Sequence, residues 1–144
     1  MALPESIELQ VVTPERHVLQ ETVDAVEVPG KEGYLGVLPG HAPLITELGV
    51  GTLAYRRGSE THFLAVMDGY AEVLPDRVIV LAEVSEKAEE IDAGRTRAAQ
   101  ERAQADLAKA AAGTPEWQMA ASALERALAR MQAIAKAGIS SGSH

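Results

Sequence analysis

The chain is 144 residues long, enough for one ordinary domain or one small domain with an appendage. It contains no cysteine, which excludes disulfides, thiolate nucleophiles and cysteine metal sites. The net charge of −8 lies wholly in the first part: residues 1–84 carry 5 Lys/Arg against 13 Asp/Glu and residues 85–144 carry 8 of each, which argues against nucleic acid or anionic lipid as partner.

No basic region followed by an apolar run opens the chain, and no stretch approaches about 18 uncharged apolar residues, so a soluble protein that is not exported and has no transmembrane segment is expected. From Ser6 to Glu83 short β-rich runs alternate with turn signals. The clearest strands are residues 7–12, 23–28, 51–55 and 77–81. Alternation is clean in the first, with Ile7, Leu9 and Val11 on one face and Glu8 and Gln10 on the other. It is imperfect in residues 23–28, where each face carries two apolar residues and one acid.

Residues 31–46, Lys-Glu-Gly-Tyr-Leu-Gly-Val-Leu-Pro-Gly-His-Ala-Pro-Leu-Ile-Thr, form the most informative stretch. Glycine and proline punctuate short apolar runs, which predicts a sharply turned surface at a sheet margin. Lys31 precedes the glycines rather than closing the loop, so this is not a phosphate-cradling loop. His41 has neither a nearby serine or cysteine nucleophile nor a second histidine at ligand spacing, and is read as an imidazole bonding backbone in a turn.

Pro29-Gly30, Pro39-Gly40, Arg57-Gly58-Ser59 and Pro75-Asp76 separate the runs at intervals suited to an antiparallel sandwich or barrel. After Ser85 the texture changes: alanine dominates from Ala88 to Ala137, and glycine and proline almost vanish. Gly113-Thr114-Pro115 divides this segment into two helices, with Gly113 as the residue past the first helix, Thr114 as N-cap and Pro115 at the first helical position. Trp117, Ala121, Leu124, Leu128, Met131 and Ala135 predict one apolar seam on the second helix, closed by Gly138. Between Asp92 and Ala112 the only large aliphatic residue is Leu107, so the hairpin is expected to be marginally held and movable. The expected organisation is a docking sandwich at 1–85, a helical arm at 86–138 and a disordered tail at 139–144.

Glu-Gly-x-Leu-Gly-x-x-Pro-Gly-His-Ala-Pro-Leu at Glu32–Leu44, Asp68-Gly69-Tyr70-x-Glu72-Val73 and Val80-Leu81-Ala82 give the chain a family likeness. With the sandwich-plus-hairpin pattern, the chain resembles, nearly end to end, the epsilon subunit of the F-type ATP synthase (delta in mitochondria). The resemblance implies an N-terminal antiparallel β-sandwich or barrel followed by a C-terminal antiparallel two-helix hairpin. It also implies a non-catalytic rotor subunit in the central stalk, touching the gamma subunit and the c-ring. The complex would sit peripherally at the cytoplasmic face of a bacterial inner, or thylakoid, membrane. Tyr34 falls where relatives often place an acid facing the ring. The arm of such proteins permits ATP hydrolysis when folded down and blocks it when extended toward the alpha/beta catalytic head.

Ile91-Asp92-Ala93-Gly94-Arg95 resembles the family's ATP-binding motif and departs from it at Thr96, where alanine is usual. Glu86, Asp92, Arg95, Arg102, Arg126 and Arg130 fall on positions that look like the family's ATP contacts, which implies ATP as a regulatory ligand with no metal required. Arg126 and Arg130 stand one turn apart and out of phase with the Leu124 and Leu128 seam, so their guanidinium forks can meet phosphates. No nucleophile with its base, paired acids in a cleft or metal cluster is visible, so no catalytic residue is expected. A free-standing nucleotide-sensing adaptor is the alternative reading.

Overall fold

The computed structural model describes residues 3–142, with side chains as far as residue 138. Eight strands come first: β1 (Ile7–Val12), β2 (His17–Val23), β3 (Ala25–Gly30), β4 (Gly33–Val37), β5 (Leu44–Glu47), β6 (Val50–Arg57), β7 (Glu60–Leu74) and β8 (Arg77–Lys87). A single 3-10 turn at Ala88–Glu90 leads into α1 (Ala93–Lys109) and α2 (Pro115–Gly142).

The two longest strands belong to both layers of a sandwich. The second half of β7 pairs with β5 and with the first half of β8, which lies parallel to β1, and β1 pairs with β2. The first half of β7 pairs with β6 and with the second half of β8, and the layer continues through β3 to β4. β5 and β6 run along β7 in one unbroken register, Leu44 opposite Val73 and Val50 opposite Met67, so they are one strand interrupted at Leu48-Gly49. At that interruption Leu48 N–H donates to Gly69 O (2.8 Å) and Asp68 N–H donates to Gly49 O (3.0 Å).

β7 makes the same bend at Asp68 and Gly69, whose φ values are 59° and 110°. A Cβ on Gly69 would lie 1.9 Å from the Leu81 carbonyl oxygen, so β7 and β8 approach there more closely than any side chain permits.

The inner faces of the two layers bury Ile7, Leu9, Val11, Val28, Leu53, Leu64, Val66, Val73 and Val78. β1 shows the alternation expected of it. The run expected at 23–28 is instead the junction of β2 and β3: Val23 ends one layer, and Asp24, bonded from Gly58 N–H (2.7 Å), turns the chain into the other. Its imperfect alternation marks that crossing. β7 has no strand expectation because Leu64 to Met67 are buried in succession, which hides the period of two. Leu64 and Val66 enter the main core, while Ala65 and Met67 face outward and are covered by the arm.

β8 carries the sheet to Lys87, beyond the boundary expected at Ser85. Arg16, in the β1–β2 turn, fastens this junction by donating to both carboxylate oxygens of Glu90 (2.9 and 3.2 Å). Among the described residues every buried side-chain polar atom has a hydrogen-bond partner.

The hairpin break has the capping chemistry expected: the Thr114 hydroxyl accepts from Trp117 N–H (3.2 Å) and α2 starts at Pro115. α1 stops earlier, at Lys109, so Gly113, with φ 85°, lies inside the connection instead of directly after the helix. α2 also runs through Gly138 to Gly142, where a cap and a disordered tail are expected. One glycine costs about 1 kcal/mol, which a long propagating helix tolerates. The last two residues of the expected tail, 143 and 144, lie outside the described residues.

The seam of α2 is also shifted from its expected phase. Ala120 and Ala127 are buried, while Leu128 is 46% exposed and Ala135 is exposed. α2 packs on α1 and also along β6 and β7, so its apolar residues divide between two contacts instead of forming one stripe. Alanine at the helix–helix contact permits close approach, and the larger Leu128 lies at the flank, near Val50 and Gly51.

Candidate functional site

The arm is docked by α2, whose sandwich-facing residues Arg126, Arg130, Ala133 and Ala137 recur at spacings of four, three and four. Ala133 is fully buried with Ala65, Met67 and Ala88, and Val50, Phe63, Val84, Ile91 and Ala137 surround them. Alanine methyls bury little area, so this apolar contact is thin for a helix of 28 residues. Polar contacts supplement it: Thr52 donates its hydroxyl hydrogen to Gln132 Oε1 (3.2 Å), and the Lys136 ammonium lies 5.9 Å from the Tyr34 ring centre.

Of the six residues singled out as nucleotide contacts, two meet side chain to side chain. Arg130 Nε donates to Glu86 Oε1 at 2.5 Å. Arg126 instead meets two acids not singled out from sequence, Asp68 (3.3 Å) and Glu83 (3.8 Å). Asp68 and Glu83 face one another across β7 and β8, between the paired residues Met67–Val84 and Gly69–Ala82. The one signal in the sequence was Asp68-Gly69, a dipeptide suited to positive φ, and Asp68 is the only non-glycine residue with positive φ among those described.

Asp92 is the N-cap of α1, its carboxylate accepting from Arg95 N–H at 2.8 Å. Thr96, the departure from the motif, is buried, and its hydroxyl donates to Asp92 O (2.7 Å). The Asp-x-x-Arg pattern is therefore first a helix start. Arg95 and Arg102 share one flank of α1, are exposed, and have no ion-pair partner among the described residues. A cavity of about 480 Å³ lies beside Arg126, bounded by Lys31, Glu47, Asp68, Glu83 and Glu125. Another, of about 570 Å³, lies at the hairpin tip between Asp106, Lys109, Glu116 and Met119.

The turned stretch 31–46 forms edge strand β4, a loop and β5. The His41 ring meets backbone as expected: its Nδ1 is 2.7 Å from Ala42 O. Tyr34 reaches across the sheet so that its hydroxyl accepts from Thr52 N–H (3.2 Å), and it lies so near Gly51 that a Cβ there would be 2.7 Å from the hydroxyl oxygen. On the outer face of the layer formed by β5, β7 and β8, Ile45 (71% exposed), Tyr70 and Leu81 leave apolar surface open, with Tyr70 and Leu81 opposite one another across β7 and β8. Among the described residues no helix is long and apolar enough to cross a membrane, and no group of three or more acids or histidines is arranged to hold a metal.

Residues 6–88 match the family model described as the ATP synthase Delta/Epsilon chain beta-sandwich domain, and residues 89–135 match that of the long alpha-helix domain. An ATP synthase epsilon chain of Syntrophobacter fumaroxidans is 48% identical over 93% of this chain and 99% of its own length. One from Solibacter usitatus is 51% identical over 77% of this chain and 83% of its own. Among solved structures, a chain of the Euglena gracilis mitochondrial ATP synthase, determined as OSCP, F1 and c-ring, superposes with TM-score 0.81 at 25% identity, covering 93% of this chain and 84% of that one.

Proposed function

Because the chain belongs to the ATP synthase delta/epsilon family, with both family domains in order along its length, we propose that it is a non-catalytic rotor subunit of a proton-translocating F-type enzyme. In this reading the sandwich couples the gamma subunit to the c-ring at the cytoplasmic face of the membrane, and the hairpin restrains ATP hydrolysis when it extends toward the alpha/beta head. The observation that carries it is the docking of α2: a long helix laid over β6 and β7 through alanine methyls and a few polar pairs can leave at small cost. The exposed Ile45, Tyr70 and Leu81 supply apolar surface for a stalk partner, and the shaped loop around His41 and Pro43 leads directly into β5, which carries Ile45.

The test is coexpression with gamma and c subunits. Stoichiometric copurification is expected and, once the alpha and beta subunits are included, faster ATP hydrolysis when residues 93–142 are deleted. A chain that purifies without gamma overturns the stalk reading in favour of a free-standing adaptor.

ATP binding to the folded-down arm is part of the proposal, through Glu86, Asp92, Arg95, Arg102, Arg126 and Arg130. Its support is that Arg126 and Arg130 already meet anionic oxygens in this arm position. Calorimetric titration with ATP and ADP should show a preference for ATP that disappears in an Asp92→Ala, Arg95→Ala double variant. Absence of heat at millimolar ATP removes the nucleotide from the proposal.

A further inference from the structure

We infer that the chain's own carboxylates latch the arm: Asp68 and Glu83 on Arg126, and Glu86 on Arg130, hold α2 on the sandwich with no nucleotide bound. The inference rests on the movable-arm reading above and adds what sets the position of the arm.

The first ground is geometry. Arg126 and Arg130 occupy the same face of α2 as Ala133 and Ala137, two turns and one turn before the apolar contact, so the acids continue that contact toward the hairpin tip. The acids come from both strands of the bent β7–β8 ribbon, so the bend that brings Gly69 against Leu81 O also gathers Asp68 and Glu83 at one spot. A helix that met the sandwich only at Ala133 and Ala137 would be fixed near one end; the arginines fix its middle.

The second ground is the conformation of Asp68. A residue other than glycine at φ 59° carries a backbone penalty, and glycine would fill the turn without it. An aspartate there places a carboxylate 3.3 Å from Arg126. The third is placement: Asp68, Glu83 and Glu86 lie on the sandwich strands β7 and β8 whereas Arg126 and Arg130 are on the arm, so each attraction acts between the two parts.

The side chains of these pairs are about one-third exposed, from 28% for Arg130 to 44% for Asp68, apart from Glu83 at 67%. Each is therefore individually modest and sensitive to salt. A contact of that strength holds the arm and still lets it go.

The absence of native cysteine permits a direct test on the full chain. Spin labels at Gln20→Cys on β2 and Ala98→Cys on α1, both exposed positions, report the arm's distance by pulsed electron resonance without nucleotide. The short-distance population should dominate at low salt. Asp68→Asn with Glu86→Gln keeps side-chain shape and the tolerance for positive φ, and should lower the docked-to-released ratio about three- to tenfold. Raising NaCl to about 0.5 M should do the same to the native sequence and little to the variant. Exchanging the charges, Glu86→Arg with Arg130→Glu, should return most of the docked population.

A ratio equal in native and neutralised chains overturns the latch alone. Labels that never separate, in any variant or salt, overturn the latch and the movable-arm reading together.

Discussion

Gly69→Ala is the most exposed point of the fold argument, because the structure assigns its cost to a single contact. The new methyl would lie 1.9 Å from Leu81 O and 2.9 Å from Ala82 Cα, both backbone, so no side-chain rotation relieves it. The φ of 110° adds a backbone strain of about 1–3 kcal/mol for any L residue. Relieving the clash means parting β7 from β8 at Tyr70–Leu81 and Gly69–Ala82, each ladder bond contributing about 0.5–1.5 kcal/mol. The sum, about 2–6 kcal/mol, is a large share of the 5–15 kcal/mol typical of a domain. Gly36→Ala is the control: it has no positive φ and a Cβ there meets nothing within 4 Å. Urea unfolding followed by circular dichroism should find Gly36→Ala within about 0.5 kcal/mol of the native chain and Gly69→Ala either unfolded or destabilised by the larger figure. A Gly69→Ala protein within 1 kcal/mol of native would refute the close-approach argument, and with it the view that the bend gathers the acids facing Arg126.

Other substitutions separate the two parts of the chain. Leu53→Ala, at a fully buried position of β6, should cost about 2–5 kcal/mol in the cooperative unfolding of the sandwich. Thr114→Ala should cost the hairpin about 1 kcal/mol and show as earlier loss of helical signal on heating, with the strand signal unmoved. Glu90 has its carboxyl held below the usual range, first by the hydrogen bonds from Arg16, so its ionised form is favoured by folding. That contribution is present above the unfolded carboxylate value and fades as pH falls through the lower folded value. Acid titration of the native chain should therefore lose stability in that acidic window, and Glu90→Gln should flatten the loss; an unchanged profile would count against the clamp.

How much of this was legible depended on which surface each segment covers. β1 has one buried and one open face, so its alternation gave its extent directly. The central part of β7 is covered by the core on one side and the arm on the other, and continuous burial erases the pattern by which a strand is recognised. The shift of the α2 seam has the same origin: Leu128 outranks Ala127 in hydrophobicity, but a helix clamped between α1 and the sheet is placed by close approach, and Ala127 is the buried one. Capping chemistry is local, so Thr114 and Pro115 were readable. The partners of Arg126 were not, because Asp68 and Glu83 are brought together only by the register of two strands and a bend.

That last point bears on the nucleotide. Arg126 and Arg130 are the two α2 arginines that the proposed ATP site would set against phosphates, and in this arm position each already meets carboxylates of the chain itself. Glu86 is thus asked to play two roles with opposite signs. As a contact to the ligand it strengthens binding; as the partner of Arg130 it competes with a phosphate for the same guanidinium. Glu86→Gln decides between them. Loss of a competitor worth one partly exposed pair should tighten ATP about two- to fivefold by calorimetry, with release of the arm in the nucleotide-free chain as its companion effect. Loss of a contact should weaken ATP and leave the arm where it is. Tighter binding means that ATP and the sandwich acids are alternative anions for one pair of arginines, so the proposed ATP contact would bridge α2 to α1 through Arg95 and Arg102, two exposed α1 cations without an ion-pair partner among the described residues.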